Sequence, residues 1–472
     1  MDSETNIKEK IKGTNEDFIQ KELRPFLKIP SYTLNSDGII TAINYIKSYI
    51  SDSSENLEEF QGEINPVIMA EIKGNSSSKI LIYMMYDAQP INKRNDWIED
   101  PFGAKIRMLP SPLNRWGKCI IARGSYNSKS PLISFLNIIK LLKRENQLPI
   151  SLLLLFDGEE EMGSPTLLKL LEENKELFQQ CKDAYYPAFK QDLDGRAVLK
   201  LGYKGIISLK IKVQTINLEV HSSYANVIPN PIQYLIEFLE KIYSKNKFII
   251  GSLAQDYKLS KEEKELINAL SNKKMIQKIK QKAGIQHVSI ETPEEFLYAY
   301  LFKPTFNIST LKGGYLKEGI KNSVPNSALS KIDIRFAHNI SPHRIYKEID
   351  EQAKKFSKNL HIKIKIKKRL GYGPSRVKSN SIIVKSLLQT FKQLHVEPEI
   401  WPLSAAASPL SKIQNELGIH YITGGLGVGG NAHAANEFIQ LKSIIYARLA
   451  YYHFLNNYSR LLIKSSKFLN NI

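Results

Sequence analysis

An apolar run that ends in three consecutive carboxylates constrains this chain more than any other feature of its sequence. Residues 152–156 read Leu-Leu-Leu-Leu-Phe, and Asp157, Glu159, Glu160 and Glu161 follow within five positions. A run that is apolar on both faces is typical of an interior strand of a parallel sheet, and ligand sites in such sheets lie beyond the carboxyl ends of the strands. The pattern therefore predicts that Glu160 and Glu161 lie in a cleft.

Two adjacent glutamates can divide the work of a hydrolytic site, with one binding a metal ion and the other acting as general base on a water molecule. The alternative is structural, because the same residues can simply cap the turn that follows the strand. Three consecutive acids at the end of a buried strand are costly without a cation nearby, so we favour a functional origin.

The size and charge of the chain limit the classes of function. Its 472 residues suffice for two domains, and 42% hydrophobic with 24% charged residues is typical of globular proteins. The formal charge of +19 is spread thinly. The densest basic stretches are residues 361–369 and 273–282, and the first alternates Ile with Lys as a half-exposed strand does. We therefore expect no nucleic-acid partner.

The sequence also bears on location. Neither the first residues nor any later run has the apolar length of a signal peptide or of a membrane span, so we expect a cytoplasmic protein without a membrane partner. The two cysteines, Cys119 and Cys181, lack the spacing of a disulfide framework, a zinc site or a redox motif, and we interpret them as buried thiols.

A series of short motifs runs through the chain in a fixed order. They occupy residues 86–90, 97, 100–102, 123–125, 157–164, 201–205, 220–223, 229–231, 304–307, 324–325, 334–335, 425–427 and 432–438. Together they resemble the M20 family of metallopeptidases, nearest to its carnosinase-like dipeptidase branch. The resemblance implies an α/β fold, in which a split zinc-peptidase-like catalytic domain carries an inserted α+β dimerisation, or lid, domain. The implied segments are 1–205 and 370–472 for the catalytic domain and 206–369 for the insertion.

The resemblance also implies a set of metal ligands, and several of their positions have changed. Active members hold two zinc ions with a histidine, a bridging aspartate, a glutamate, a further acid and a final histidine. The first histidine falls on Met85 and the bridging aspartate on Asn127. The further acid falls on Ala188 or Phe189, depending on the alignment. A thioether is a poor ligand for zinc, and a neutral amide cannot supply the charge that holds two divalent ions.

Other positions of the implied site are retained. Glu161 matches the glutamate ligand, Glu160 the general base and His433 the last histidine. Asp87, which orients ligands in active members, also remains. We therefore expect at most one zinc or other divalent metal ion per chain, bound by Glu161, His433 and weakly by Asn127, or none.

The implied substrate contacts are partly retained as well. His221 matches a histidine that stabilises the oxyanion across the dimer, and Arg335 matches the arginine that binds the substrate carboxylate. Asn322 falls on a further binding position. Each residue also has a bland interpretation, because a lone histidine is usually a hydrogen-bonded structural residue and Arg335 lies in an alternating strand whose polar face is solvated.

The sequence as a whole therefore predicts a dipeptidase-like protein whose dinuclear zinc site is degraded. On this hypothesis it is a pseudoenzyme that binds a peptide-like small molecule and forms a homodimer. One alternative is a mononuclear-metal hydrolase of a peptide or other amide bond, in which Glu160 and His221 are catalytic. The other is a regulatory or structural subunit that forms a heterodimer with an active relative.

Overall fold

A computed structural model describes residues 3–91, 93–192, 194–360 and 362–469 of the chain. Contacts between residues divide the chain into two compact units. Unit 1 comprises Met1–Leu201, Val377–Ile400 and Lys412–Ile472, and unit 2 comprises Gly202–Arg376 and Trp401–Ser411. The domain boundaries drawn from the sequence stay predictions. Residues 401–411, which those boundaries place in the second catalytic segment, group with unit 2.

Fifteen α-helices lie in the described residues. In chain order they are α1 (Ser3–Gly13), α2 (Asn15–Phe18), α3 (Arg24–Lys28), α4 (Ser36–Ile50), α5 (Lys129–Arg144), α6 (Pro165–Glu173), α7 (Lys175–Gln179), α8 (Pro231–Ile242), α9 (Lys261–Leu270), α10 (Lys273–Ala283), α11 (Pro293–Leu301), α12 (Pro342–Leu360), α13 (Ile382–Gln393), α14 (Ser411–Leu417) and α15 (Ser443–Leu469). None of these helices combines the length and the apolar character that crossing a bilayer requires.

The strands of the described residues vary from two to thirteen residues in length. In chain order they are β1 (Asn56–Phe60), β2 (Val67–Ile72), β3 (Lys79–Met85), β4 (Lys105–Met108), β5 (Lys118–Ile121), β6 (Ser151–Asp157), β7 (Cys181–Pro187), β8 (Ala197–Lys200), β9 (Gly202–Gln214), β10 (Val220–His221), β11 (Tyr243–Ser244), β12 (Lys247–Phe248), β13 (Thr305–Gly313), β14 (Ser323–Val324), β15 (Ser327–Phe336), β16 (Lys363–Tyr372), β17 (Ser375–Arg376), β18 (Pro398–Trp401), β19 (Ser404–Ala407), β20 (His420–Gly424), β21 (Gly429–Gly430) and β22 (Phe438–Gln440).

The central sheet of unit 1 has the strand order β1-β2-β6-β3-β7-β20. All seven residues of β6 are buried, as its apolar sequence predicts. β6, β3, β7 and β20 are parallel, whereas β1 and β2 run antiparallel to their neighbours. The sheet is therefore mixed rather than wholly parallel, yet the carboxyl ends of its four parallel strands meet at one edge. A second sheet of unit 1 has the order β21-β22-β5-β4.

The charged, amphipathic pattern of residues 6–24 predicts one helix stopped by Pro25, and the structure shows that this prediction is wrong at its end. After α1 and α2 a π-helical segment, Ile19–Leu23, leads directly into α3, and Pro25 lies in the first turn of that helix. Proline is tolerated in a first turn because the amide hydrogens there need no helical acceptor. Pro25 therefore begins a helical segment instead of ending one.

The main sheet of unit 2 has the antiparallel order β13-β15-β9-β16, and β9 also pairs with β17 and β19. Burial alternates along β15, so one face of the sheet is apolar. Buried residues of α8 and α12, including Phe238 and Ile349, join buried residues of β9 and β15 in one core. Helices layered on an antiparallel sheet confirm the α+β character that the sequence predicts for the insertion.

Lys204 is fully buried in unit 2. Its side-chain nitrogen donates hydrogen bonds to the carbonyl oxygens of Tyr300 (3.0 Å) and Lys303 (2.8 Å). Burial, followed by the positive charges of Arg376 and Arg335, lowers the pKa of Lys204 to about 7. In the unfolded chain the same amine keeps its proton to about pH 10. Between these pH values the unfolded state therefore binds more protons, and the free energy of unfolding rises with pH.

We expect this one group to add roughly 2 kcal/mol to the free energy of unfolding between pH 7 and pH 9. Urea unfolding of the wild type and of Lys204→Met at both pH values measures the effect. The variant should lack the increment, because methionine fills the same space without a titrating nitrogen. An equal increment in both proteins would show that Lys204 stays charged in the folded protein at pH 9.

Candidate functional site

The candidate site lies where the parallel strands of unit 1 end. Met85 is the last residue of β3 and pairs in register with Asp157, the last residue of β6. Asp87 follows β3 by two residues, and the three glutamates follow β6 in a short 3-10 turn. The predicted placement of Glu160 and Glu161 beyond the end of a buried strand is therefore what the structure shows.

The first of the three glutamates has a structural role. Glu159 is completely buried, and its carboxylate accepts hydrogen bonds from the backbone amides of Ile64 (2.6 Å), Asn65 (3.1 Å) and Thr166 (3.0 Å). These bonds fasten the turn after β6 to two other segments of unit 1. Glu159 thus has a structural role, and the structural alternative for Glu160 and Glu161 is a separate question.

Glu161 lies at the centre of a polar cluster, which we call the Glu161 cluster and which also contains Gln89, Asn127, His433 and Asp87. Asn127 Nδ2 donates to Glu161 Oε1 (3.1 Å), and Gln89 Nε2 donates to Glu161 Oε2 (2.6 Å). The backbone amide of Glu161 donates to Asp87 Oδ2 (3.0 Å). Both carboxylate oxygens of Glu161 therefore accept hydrogen bonds from side-chain amides.

Three atoms of this cluster form a compact triangle. His433 Nε2 lies 3.3 Å from Glu161 Oε1 and 3.0 Å from Asn127 Nδ2, and the amide-to-carboxylate distance of 3.1 Å closes the third side. Ser128 Oγ donates to Asn127 Oδ1 (3.2 Å), which orients the carboxamide with its nitrogen toward the triangle. The sequence brings these residues from positions 127, 161 and 433, and the structure places them in contact as predicted.

Asn127 is positioned by a buried ion pair that the sequence analysis does not identify. Glu437 Oε1 accepts from the backbone amides of Tyr126 (2.9 Å) and Asn127 (2.8 Å). Glu437 Oε2 accepts from the amide of Gly124 (3.0 Å) and from Arg123 Nη1 (2.7 Å). Both side chains of the pair are almost fully buried. Glu437 thus fixes the whole loop from Arg123 to Asn127.

Three residues contribute to the site although the sequence did not predict them as site residues. All three lie within the motifs that carry the family resemblance. They are Gln89, Arg123 and Glu437. The sequence signal for the ion pair was a basic residue, Arg123, in the motif at 123–125 and an acidic residue, Glu437, in the motif at 432–438. No local signal showed that Gln89 would reach Glu161, because that contact depends on how two separate loops approach each other.

Burial dominates the electrostatics of the acids. It raises the pKa of Glu160 to about 8, with the charges of Glu161 and Asp157 adding to the effect. Burial and the same kind of repulsion hold the pKa of Asp87 well above its usual range. The hydrogen bond with Glu161 raises the pKa of His433. Asp87 Oδ1 is buried and has no hydrogen-bond partner within the described parts of the chain.

Three positions in the same region carry side chains without a strong metal donor. Met85 and Phe189 are buried, and Phe189 packs against Gly427, where an added Cβ atom would lie 2.5 Å from its ring. Ala188 is also buried, and its amide donates to the carbonyl oxygen of Gly424 (3.0 Å). Within the described ranges, no three His, Cys, Asp or Glu side chains form a group that could hold a metal ion.

The remaining predicted residues lie in unit 2. His221 is exposed at the end of β10, and its Nδ1 lies 2.9 Å from Ser223 Oγ. The amide of Ser222 donates to the carbonyl oxygen of Asn322 (3.1 Å), so His221 and Asn322 lie on neighbouring segments. Arg335 lies on a different strand, β15, with its Nε 3.9 Å from a carboxylate oxygen of Asp333.

Comparisons with known proteins agree with the motifs. A family model described as the peptidase dimerisation domain of the M20 type matches residues 201–361. The Cys-Gly metallodipeptidase of Schizosaccharomyces pombe is 23% identical over 312 residues, which are 64% of this chain and 62% of that protein. The Beta-Ala-His dipeptidase of Rattus norvegicus is 22% identical over 366 residues, covering 75% of this chain and 71% of that protein.

A solved structure extends the likeness to almost the whole chain. The M20 family metallo-carboxypeptidase Sso-CP2 of Sulfolobus solfataricus superposes with a TM-score of 0.81 at 28% identity, covering 93% of this chain and 98% of that one. The chain is thus similar to M20 peptidases in its motifs, in its dimerisation-domain match and in its fold. Residues 202–361 of the dimerisation-domain match fall within unit 2, and the Glu161 cluster falls within unit 1.

The protein therefore shows the fold that its motifs predict. The fold class is confirmed, because a mixed α/β unit and an α+β dimerisation domain are both present. The names of the two dipeptidases and of the carboxypeptidase place peptide-cleaving enzymes among its relatives. What the chain itself does depends on the side chains at the end of β6.

Proposed function

We propose that this M20 dipeptidase-like protein binds a peptide-like small molecule as a homodimer. We also propose that it has lost the pair of metal ions with which active M20 members hydrolyse their substrates. The observation that carries the proposal is the position of the Asn127 carboxamide. Its nitrogen lies within hydrogen-bond distance of both Glu161 Oε1 and His433 Nε2. An uncharged group that donates a hydrogen bond to Glu161 thus lies between the two retained ligand positions.

The charge balance of the cluster supports the same conclusion. A carboxylate that ligates a divalent ion offers its lone pairs to the metal, whereas both oxygens of Glu161 accept amide hydrogens from Asn127 and Gln89. Hydrogen bonds of this kind satisfy a buried carboxylate without a cation. The amide at position 127 also lacks the negative charge that would hold two ions close together.

The other altered positions do not compensate for Asn127. Met85 offers a thioether, and neither Ala188 nor Phe189 offers a side-chain donor atom. The unpaired oxygen of Asp87 fits the same interpretation, because its position in active members orients a metal ligand, and Met85 cannot accept or donate there. The residues present therefore do not fit a dinuclear zinc centre.

A mononuclear-metal hydrolase is the second candidate, and the triangle of Glu161, His433 and Asn127 favours it. Ligand atoms about 2.0 to 2.2 Å from a tetrahedral zinc ion lie about 3.3 to 3.6 Å apart, so the observed edges of 3.0, 3.1 and 3.3 Å would need to widen only by a few tenths of an ångström. Binding would need the carboxamide of Asn127 to present its oxygen. Glu160 would then be the proton acceptor and His221 the proposed oxyanion contact.

Metal analysis of the full chain distinguishes these candidates. After incubation with excess zinc and gel filtration, we expect well under one zinc ion per chain, because two strong ligands and an amide make a weak site. We also expect no zinc-dependent hydrolysis of Cys-Gly or β-Ala-His above that of the Glu160→Gln variant. One ion per chain with activity abolished in Glu160→Gln would favour the mononuclear hydrolase. Two ions per chain with turnover would overturn the loss of the dinuclear centre.

The ligand and assembly are tested separately. Arg335, Asn322 and His221 are the proposed peptide contacts in unit 2, so dipeptide binding measured by calorimetry should weaken in Arg335→Met. Sedimentation should show a homodimer. Association with a co-expressed active M20 enzyme, together with stimulation of its turnover, would instead indicate the regulatory heterodimer. A cytoplasmic location belongs to the same proposal and can be checked by cell fractionation.

A further inference from the structure

A cavity of about 290 Å³ opens in unit 1, away from the Glu161 cluster, between α1, the end of α13 and α15. Its charged lining residues are Lys8, Lys12 and Arg460, and no Asp or Glu lines it among the described residues. Lys8 and Lys12 are four positions apart on α1 and so share one face of that helix. The cavity therefore concentrates positive charge from two helices.

His453 forms part of the wall of this cavity. The residue is only 8% exposed, and neither ring nitrogen has a hydrogen-bond partner in the part of the chain that the structure describes. Burial, together with the charge of Lys8, lowers the pKa of His453 to about 4, so the ring is neutral at physiological pH. A neutral imidazole that makes no hydrogen bond within the described chain can donate one to, or accept one from, a ligand in the cavity.

Hydrogen bonds hold two amide side chains of the cavity wall, Gln393 and Asn457, in place. Asn457 is buried, and its Nδ2 donates to Thr390 Oγ1 (3.1 Å) and to Gln393 Oε1 (3.0 Å). These contacts join α13 to α15 directly beneath the cavity. Asn457 and Gln393 thus form a preorganised polar floor rather than a pair of mobile surface side chains.

The two lysines of α1 keep most of their charge available to a ligand. Lys12 pairs with Glu9 (2.9 Å), which lies outside the cavity, in an exposed contact between neighbouring turns of α1. An exposed pair of this kind contributes little, so it would not prevent Lys12 from binding an anion. For Lys8 the structure records no ion pair with any described residue.

We propose that this cavity binds a small molecule that carries phosphate. Lysine and arginine side chains at its mouth are suited to phosphate oxygens, and arginine in particular can bind two of them at once. His453 supplies a hydrogen bond at the back, and Gln393 supplies a polar contact at the floor. The volume lies at the lower end of the range for ligand sites, which is about 300 to 1,000 Å³, so the ligand is small.

Calorimetric titration of the full chain with inorganic pyrophosphate tests the proposal. We expect one pyrophosphate per chain with a dissociation constant below about 1 mM in low salt. Lys8→Gln/Arg460→Gln should weaken binding at least tenfold, because it removes two of the three cations. His453→Phe should weaken binding severalfold while leaving the net charge unchanged.

A matched control removes the same charge elsewhere in unit 1. Lys21 and Lys169 are each 72% exposed in surface pairs, so Lys21→Gln/Lys169→Gln should bind pyrophosphate like the wild type. Equal weakening in the control, more than one site per chain, or no binding at 5 mM would overturn the proposal. Citrate binding as tightly as pyrophosphate would overturn the assignment to phosphate. Unchanged thermal unfolding of each variant confirms that it is folded.

Discussion

Asn127→Asp is expected to turn a cluster held together by amide hydrogen bonds into a site that needs a cation. In the wild type, Asn127 Nδ2 donates to Glu161 Oε1 at 3.1 Å. An aspartate at this position would place two carboxylate oxygens about 3 Å apart in a largely buried environment. Without metal we expect a loss of about 1 to 3 kcal/mol in the free energy of unfolding, because a hydrogen bond is replaced by repulsion between like charges.

Zinc should reverse this loss in the same variant. The introduced carboxylate would join two ligands that are already close together, because His433 Nε2 lies 3.3 Å from Glu161 Oε1. Three strong donors form a zinc site, whereas two donors and a neutral amide do not. We expect the apparent zinc affinity to rise at least 100-fold. Zinc at 100 times its dissociation constant would then stabilise the variant by about 2.7 kcal/mol.

Thermal and urea unfolding with zinc and with a chelator measure both effects. Asn127→Leu is the matched control, because it removes the same hydrogen bonds and keeps a similar volume without adding a charge or a ligand. Its unfolding should be insensitive to zinc. Equal stabilisation of the two variants by zinc would show that the metal binds elsewhere, and it would remove the basis for the proposed role of Asn127.

Arg123→Met should be among the most destabilising single substitutions in unit 1. It leaves Glu437 buried with its backbone donors but without its charged partner, which lies at 2.7 Å in the wild type. Removing one partner of a buried ion pair costs about 3 to 5 kcal/mol, because the other charge loses its compensation. The loop that carries Asn127 should loosen at the same time.

Urea unfolding followed by tryptophan fluorescence is suited to this measurement, since the Arg123 guanidinium lies 5.2 Å from the Trp97 ring centroid. The double variant Arg123→Met/Glu437→Gln should recover part of the loss, because it removes both charges. Arg94→Met is the control. It breaks an ion pair with Asp100 whose side chains are 69% and 52% exposed, and such a pair contributes less than about 1 kcal/mol. Similar losses in Arg94→Met and Arg123→Met would refute the assigned role of Glu437.

The sequence predicts burial more reliably than it predicts geometry in this protein. The run from Leu152 to Phe156 is buried as predicted, because an apolar strand has no stable exposed arrangement. The antiparallel pairing of β2 with this strand could not be predicted, since strand order and direction depend on contacts between distant segments. Pro25 misled the helix assignment because proline both ends helices and begins them, and the backbone decides which.

The same distinction applies to the candidate site. The family resemblance grouped Glu161, Asn127 and His433 as metal ligands. Their side chains lie in contact, and their role as ligands stays a prediction. The sequence did not separate Glu159 from the next two acids, because the turn geometry alone directs that carboxylate to three backbone amides. It also gave no indication that both oxygens of Glu161 accept amide hydrogens, which depends on the side-chain conformations of two loops.

The split construction of unit 1 sets the order in which the protein can assemble during translation. Strands β20 and β22, and the carboxylate that neutralises Arg123, all lie after the insertion. At about 5 to 20 residues per second, the ribosome needs roughly 10 to 50 s to proceed from residue 202 to residue 437. Throughout that interval, β7 of the nascent first segment has no β20 to pair with. Arg123 likewise lacks the carboxylate of Glu437 that neutralises it in the folded protein. The ribosome has synthesised all of unit 2 before it reaches residue 437. Unit 2 can therefore fold first, and chaperone contacts during synthesis should concentrate on the first 201 residues, which still lack their partners.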